Sequence, residues 1–417
     1  MKKLHWQWLL VSIAAILAIR AGLETAALNW ADVALGNVWA SEIMRSGIVK
    51  CGAYTSDLKV IPGLQSNSNR SVSVKMNLGR AFWLQGDCAD AIDTWQAINH
   101  ADPFNIDSIV NLLRAGSKPN IPQELLPEIA DYTYKTGMFA RAEAQTEASG
   151  IWLEISFSAM PQRKTANELA RLYYDLGKFD DAKSVWKRMT QMTKPETAEY
   201  WWAIGKLAEL DNDWQLAVAA YKSGVSLTAD SYEFWMRQGY AFEQLKDWNG
   251  AERAYQSAIS TNSRSEKPYI ALGNIAEQTN NYTKAIQWYS QAEALAPASV
   301  DALYGLGHAY FAQGDDQVAL TYLEKAMQAA PNSTWIAYYL AHSLYRSGKP
   351  EAGITYLQKA IEVYPGKPWT WALELGDWLQ AFKMCKEADG AYANAEMWGA
   401  HRSLIEEKRR ALALVCQ

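Results

Sequence analysis

Two histidines, His308 and His342, stand at equivalent places of a repeating pattern, and their type and spacing are the first to suggest chemistry. Two imidazoles can begin a metal site, but such a site needs more ligands than these. Asp301 is the nearest acidic candidate, and no metal is expected. A pH-sensitive contact is the other chemistry that such a pair offers. The four cysteines, Cys51, Cys88, Cys385 and Cys416, form no C-x-x-C pair, which leaves zinc and thioredoxin-like sites unsupported. The separations within each pair, both close to one period of the pattern, permit a Cys51–Cys88 and a Cys385–Cys416 bridge in an oxidising compartment. Small buried thiols are the alternative. G-x-S-x-G, P-loop, Gly-rich dinucleotide and H-E-x-x-H motifs are all missing, so the chain is read as non-enzymatic and without a cofactor.

Composition limits the partners. With 49% hydrophobic and 20% charged residues, the 417-residue chain has the make-up of a folded protein. Nineteen tryptophans and 22 tyrosines make it rich in large rings. The net charge is −5, and no block of Lys/Arg is long enough to follow a phosphate backbone, so nucleic acid is not an expected partner.

The N-terminus begins MKKLHWQWLLVSIAAILAI, two lysines before an apolar run from Trp6 to Ile19. A straight helix of that run spans only ~21 Å, against a hydrocarbon core of ~30 Å. Extension to Leu23 requires Arg20 to snorkel near the helix end. Residues 1–23 are read as a membrane anchor, with a cleaved export signal as the alternative. Lys2 and Lys3 favour a cytoplasmic N-terminus, which leaves the bulk of the chain extracytoplasmic, or secreted if the signal is cleaved.

The elements that must position these side chains show a period. YGLGHAYFAQGD, Tyr304 to Asp315, has one counterpart at Tyr269–Tyr282 and another at Ala337–Pro350. Units start near Val72, Arg163, Ala198, Glu233, Glu266, Val300, Thr334 and Trp369. Each reads as two antiparallel helices, with small residues where the helices cross, large residues between units, and a proline at the end. In the unit from Val300 these places are held by Leu303, Leu306-Gly307, Tyr310, Gly314, Ala319, Leu323, Ala326 and Pro331. In that pattern the chain resembles the tetratricopeptide-repeat family. The resemblance implies an all-α fold, a right-handed α-solenoid of stacked helix-turn-helix units behind the N-terminal hydrophobic segment.

On this reading, residues 24–71 are an N-terminal cap and loop and 72–105 a first unit. Residues 106–162 form a divergent region, with Gly137 at a turn and residues 150–162 irregular. Seven tandem units follow over 163–402. Residues 403–417 are a C-terminal capping helix, with Ser403 and Glu406 in capping-box spacing. The resemblance further implies a concave groove lined by the first helix of each unit. Its candidate partner-binding residues are Trp202, Tyr240, Tyr304, His308, Phe311, Trp335, Tyr338, His342, Tyr345 and Arg346. Exposed rings beside arginine have the composition of binding hot spots. Asn274 lacks the lysine partners with which family members grip a C-terminal carboxylate. The expected function is a non-enzymatic scaffold that binds a peptide or helix of a protein partner in assembling or maintaining a membrane or cell-envelope complex. A glycan-binding accessory role in envelope polysaccharide assembly or export is the alternative, with the rings stacking on sugars.

Overall fold

The computed structural model of the chain describes residues 51–52 and 72–416. The anchor or export segment (1–23) and nearly all of the N-terminal cap and loop (24–71) lie outside the described residues. Among the described residues there are twenty α-helices, one short 3-10 turn and no strand. None of these helices is long and apolar enough to cross a membrane. The chain divides into two units, Met1–Leu210 and Asp211–Gln417.

The first unit carries α1 (Val72–Gln85), α2 (Cys88–Ala101), α3 (Ile106–Arg114), the 3-10 turn Gln123–Leu125, α4 (Leu126–Ala142), α5 (Thr146–Ala159), α6 (Arg163–Asp175), α7 (Phe179–Met192) and α8 (Ala198–Leu210). Its core includes Trp95, Trp152, Phe157 and Trp186, all buried. Cys51 is bridged to Cys88 at the start of α2, with Cα atoms 6.0 Å apart. Two expectations for the divergent region are corrected. Gly137 lies inside α4, where a Cβ would come 3.0 Å from Leu153 Cγ, so it is needed for close crossing with α5. The turn is made instead at Ala144, with φ of 58°. Residues 150–159 are helical, as the last ten residues of α5.

The second unit carries α9 (Trp214–Val225), α10 (Tyr232–Gln244), α11 (Trp248–Thr261), α12 (Lys267–Gln278), α13 (Tyr282–Leu295), α14 (Val300–Gln313), α15 (Asp316–Ala329), α16 (Thr334–Arg346), α17 (Pro350–Val363), α18 (Trp369–Ala381), α19 (Cys385–Met397) and α20 (Arg402–Val415). Each helix packs on its neighbours in sequence, and α14 also touches α12 and α16. The first helices of consecutive repeats therefore lie side by side.

Local chemistry sets this register. Asp213, Asp247, Asn281 and Asp315 recur once per repeat and cap α9, α11, α13 and α15, each accepting from the backbone N–H of the third residue that follows. The residue before each cap is left-handed: Asn212, Lys246, Asn280 and Gly314, with φ of 57°, 57°, 56° and 87°. Only glycine adopts that conformation without strain, and Gly314 is also the C-cap of α14.

At the C-terminus, Ile405 and Leu412 of α20 are buried in the core shared with α19. Val415 is exposed. The capping-box expectation is corrected, because His401 precedes the helix and Ser403 lies within it. Glu406 pairs with Arg402 at 3.1 Å instead. Cys385 at the start of α19 is bridged to Cys416 just after α20, with Cα atoms 6.1 Å apart.

Candidate functional site

Tyr304, His308 and Phe311 stand on one face of α14, at the i, i+4 and i+3 steps that make helical side chains neighbours. On α16, Trp335, Tyr338, His342 and Tyr345 do the same. The structure joins these two faces through Tyr339, whose ring centroid lies 6.0 Å from Tyr304, 4.5 Å from His308 and 5.4 Å from Phe311. On the other side of α16, Tyr338 stacks on Trp371 at 4.4 Å and Tyr345 on Trp378 at 4.1 Å. His342 lies edge-on to Trp378 at 5.0 Å. The result is an unbroken strip of rings from Tyr304 on α14 to Phe382 just after α18.

Charged groups border the strip. Arg346 sits over the Phe311 ring at 4.6 Å and pairs with Asp316 at 3.0 Å. His308 Nδ1 hydrogen-bonds Glu277 Oε1 at 2.9 Å. His342 Nε2 lies 3.2 Å from Glu374 Oε2, close enough for an ion pair on protonation but not aligned as a hydrogen bond. The Tyr338 phenol is pushed up to about 12 by burial and then by the Glu374 carboxylate. Burial also raises the Tyr304 phenol, with Tyr339 and Glu277 adding to it.

The strip has a covered and an open part. Trp335 is 47% exposed and Phe382 40%, so these rings offer free faces. Tyr338 and Tyr345 are half-buried and bond one repeat to the next as much as they face solvent. Among the expected residues, Tyr240 stands apart on α10, edge-on to Trp214 at 5.8 Å and under Arg237. Trp202 does not present a surface. Its side chain is 3% exposed, and its Nε1 donates to Asn167 Oδ1 at 3.3 Å within the first unit.

Tyr339, Trp371, Trp378, Glu277 and Glu374 belong to the site without having been signalled by the sequence pattern. Toward α10, the strip is continued by a polar cleft of about 320 Å³ lined by Glu243, Gln244, Trp248, Asn274, Glu277 and Gln278. Asn274 Oδ1 accepts from the Tyr289 hydroxyl at 2.7 Å. Glu243 accepts from the Tyr255 hydroxyl. Burial raises the Glu243 carboxyl above its usual range, partly offset by that bond. Among the described residues, no group of three or more His, Cys, Asp or Glu is placed to hold a metal.

Family comparison agrees with the repeat. Models described as tetratricopeptide repeats match residues 167–231, 211–268, 300–333 and 337–367, and one described as a TPR repeat matches 273–314. The chain belongs to the tetratricopeptide-repeat family. The repeats put it in the class of protein-interaction scaffolds. No curated protein matches it. Among solved structures, it is similar to the MamA protein at 22% identity and a TM-score of 0.37, over 41% of this chain and 93% of that one. It is also similar to the C-terminal part of a TPR repeat-containing protein from Cytophaga hutchinsonii, at 16% identity and a TM-score of 0.48, over 58% of this chain and 98% of that one. YrrB, a TPR protein described as having an unusual peptide-binding site, is 17% identical with a TM-score of 0.36, over 43% of this chain and 92% of that one.

Proposed function

We propose that the chain is a non-enzymatic scaffold that seats a segment of a protein partner along the ring strip of α14, α16 and α18. The partner belongs to a membrane or cell-envelope complex on the extracytoplasmic side. The observation that carries the seat is the exposure of two rings at opposite edges of the strip, Trp335 at the start of α16 and Phe382 just after α18, beside otherwise packed rings. Large rings with free faces are groups on which binding energy concentrates, and within the same strip Arg346 lies over Phe311. Location rests on two supports: the paired lysines and apolar run of residues 2–19, and the joining of all four cysteines in two bridges. Bridges of this kind persist in oxidising compartments.

The test is affinity isolation of the tagged full-length chain from gently solubilised membranes, beside the variant Trp335→Ala/Phe382→Ala. These exposed rings are better targets than Tyr338 or Tyr345, whose loss would also loosen the contact between repeats. A protein that co-purifies with the parent, is lost with the variant, and rebinds from pure components supports the scaffold. Recovery of an envelope oligosaccharide with no protein would replace it by the glycan-binding alternative.

A further inference from the structure

The polar cleft beside the strip has a chemistry of its own. Its lining holds two carboxylates, three carboxamides and one indole, and no lysine or arginine. An ionised carboxylate can accept about four hydrogen bonds. Tyr255 on Glu243 and His308 on Glu277 hold these groups in place and leave both with acceptor capacity. The amides of Gln244, Asn274 and Gln278 add neutral acceptors, and Trp248 adds an aromatic surface of the kind on which cations rest.

An anion is excluded by the two carboxylates. A bare metal ion is disfavoured as well, because the lining brings only two carboxylates together and one of its three carboxamide oxygens, Asn274 Oδ1, is already taken by the Tyr289 hydroxyl. The lining instead matches an organic cation that donates several hydrogen bonds and has an apolar stem. Glu243 points the same way, since burial has raised its carboxyl with only the Tyr255 hydroxyl bond to offset the cost of its charge.

The cleft is continuous with the strip. Glu277 is bonded to His308, and His308 lies against Tyr339 at 4.5 Å, where the rings begin. One extended segment can therefore put a side chain into the cleft and lay its neighbours on the rings.

We infer that the cleft between the end of α10, the start of α11 and α12 takes an arginine or lysine side chain, so that the partner segment is basic, with apolar residues next to its charge. This rests on the scaffold reading and specifies the partner's chemistry. It also fixes the direction of the segment, basic end toward α10 and apolar end toward α18.

A library of random short peptides displayed and selected on the full-length chain tests it. The expected winners carry Arg or Lys at a constant distance from an aromatic or aliphatic residue. One such peptide, synthesised, is then measured against the parent and against Glu243→Gln/Glu277→Gln, with circular dichroism confirming that the variant is folded. The variant is expected to bind it about tenfold more weakly or worse. The same peptide with its basic residue changed to Gln should bind both proteins equally. If the winners show no basic preference, or the variant keeps full affinity for the basic peptide, the cleft assignment is overturned while the scaffold stands. If no peptide is selected at all, both are overturned.

Discussion

The hydroxyl of Tyr289 donates to Asn274 Oδ1 at 2.7 Å, while its ring fills the space left by the missing side chains of Gly273 and Gly305. A single residue thus closes the core between two repeats and positions a polar group of the cleft. The device recurs. Tyr255 packs on Gly239 and reaches Glu243, and Tyr392 packs on Gly376 and reaches Asp377 and Gln380, both at 2.8 Å. Packing and site are joined at the tip of one ring.

Glycine at these crossings is therefore a requirement of volume. A Cβ on Gly273 would run into the Tyr289 ring, which is 1% exposed and has nowhere to go. Gly273→Ala is expected to destabilise the chain by about 1–3 kcal/mol, the usual cost of overpacking. Gly390, inside α19, has nothing within 4 Å of the same added atom. Gly390→Ala is expected to stabilise by about 0.5–1 kcal/mol through helix propensity. Urea unfolding of the two variants should move the midpoint in opposite directions; two downward shifts would refute the assignment of the crossing.

The same tyrosines make stability sensitive to alkali. Burial raises the phenols of Tyr255, Tyr289 and Tyr392, with Glu243, Glu277 and Asp377 respectively adding to the shift. An unfolded phenol titrates near about 10. A folded value above that means a contribution fully present below pH ~10 and lost as pH rises through the folded value. Ionisation followed by absorbance is expected in two stages, exposed rings first and the buried set only together with loss of helical signal. One smooth transition near pH ~10 with the helices intact would contradict the burial of these rings.

How much of this is legible in the sequence depends on the scale. The repeat is visible because spacing determines it: Leu306-Gly307, Gly314, Ala319 and Pro331 each do one local job, and α14, α16 and α18 begin at Val300, Thr334 and Trp369. The caps at Asp213, Asp247, Asn281 and Asp315 carry the same periodic signal, but single polar residues stand out less than a Leu-Gly pair. The strip is legible in part, through Tyr304, His308, Phe311, Trp335, Tyr338, His342 and Tyr345, with Arg346 at its border. Tyr339 escapes because neighbours in a helix point ~100° apart and so suggest opposite faces. Here α16 is flanked on both sides, so Tyr338 meets Trp371 of the next repeat and Tyr339 meets Tyr304 of the previous one. Trp202 looks like surface although its ring is in the core, since periodicity does not tell which flank of a helix is covered. Gly137 misleads for a related reason, a glycine serving a turn and a glycine serving a crossing being alike in sequence.

The two bridges make a separate prediction about stability and location. Cys385–Cys416 ties α19 to the end of α20, whose own buried anchors among the core residues are Ile405 and Leu412. Replacing both cysteines by serine is expected to cost about 2–4 kcal/mol. Reductant should lower the unfolding midpoint of the parent further than that of this variant, which keeps only Cys51–Cys88. Alkylation in intact cells should find all four thiols blocked. Free thiols there would remove one of the two supports for an extracytoplasmic chain.

Glu243 provides the sharpest link between stability and binding. Its carboxyl is raised by burial, so its contribution to stability is full below the unfolded carboxylate value of about 4.3 and declines as pH rises through the higher folded value. At neutral pH the ionised group therefore weakens the fold unless a cation sits beside it. Glu243→Gln keeps the shape and the acceptor for Tyr255 but removes the charge. Thermal unfolding of this variant is expected to rise above the parent at neutral pH and to coincide with it near pH ~4. A basic peptide that occupies the cleft should reverse the order at neutral pH, stabilising the parent more than the variant. A variant less stable than the parent at neutral pH without peptide would show that the protein already compensates this charge, and the cleft would then have no need of an outside cation.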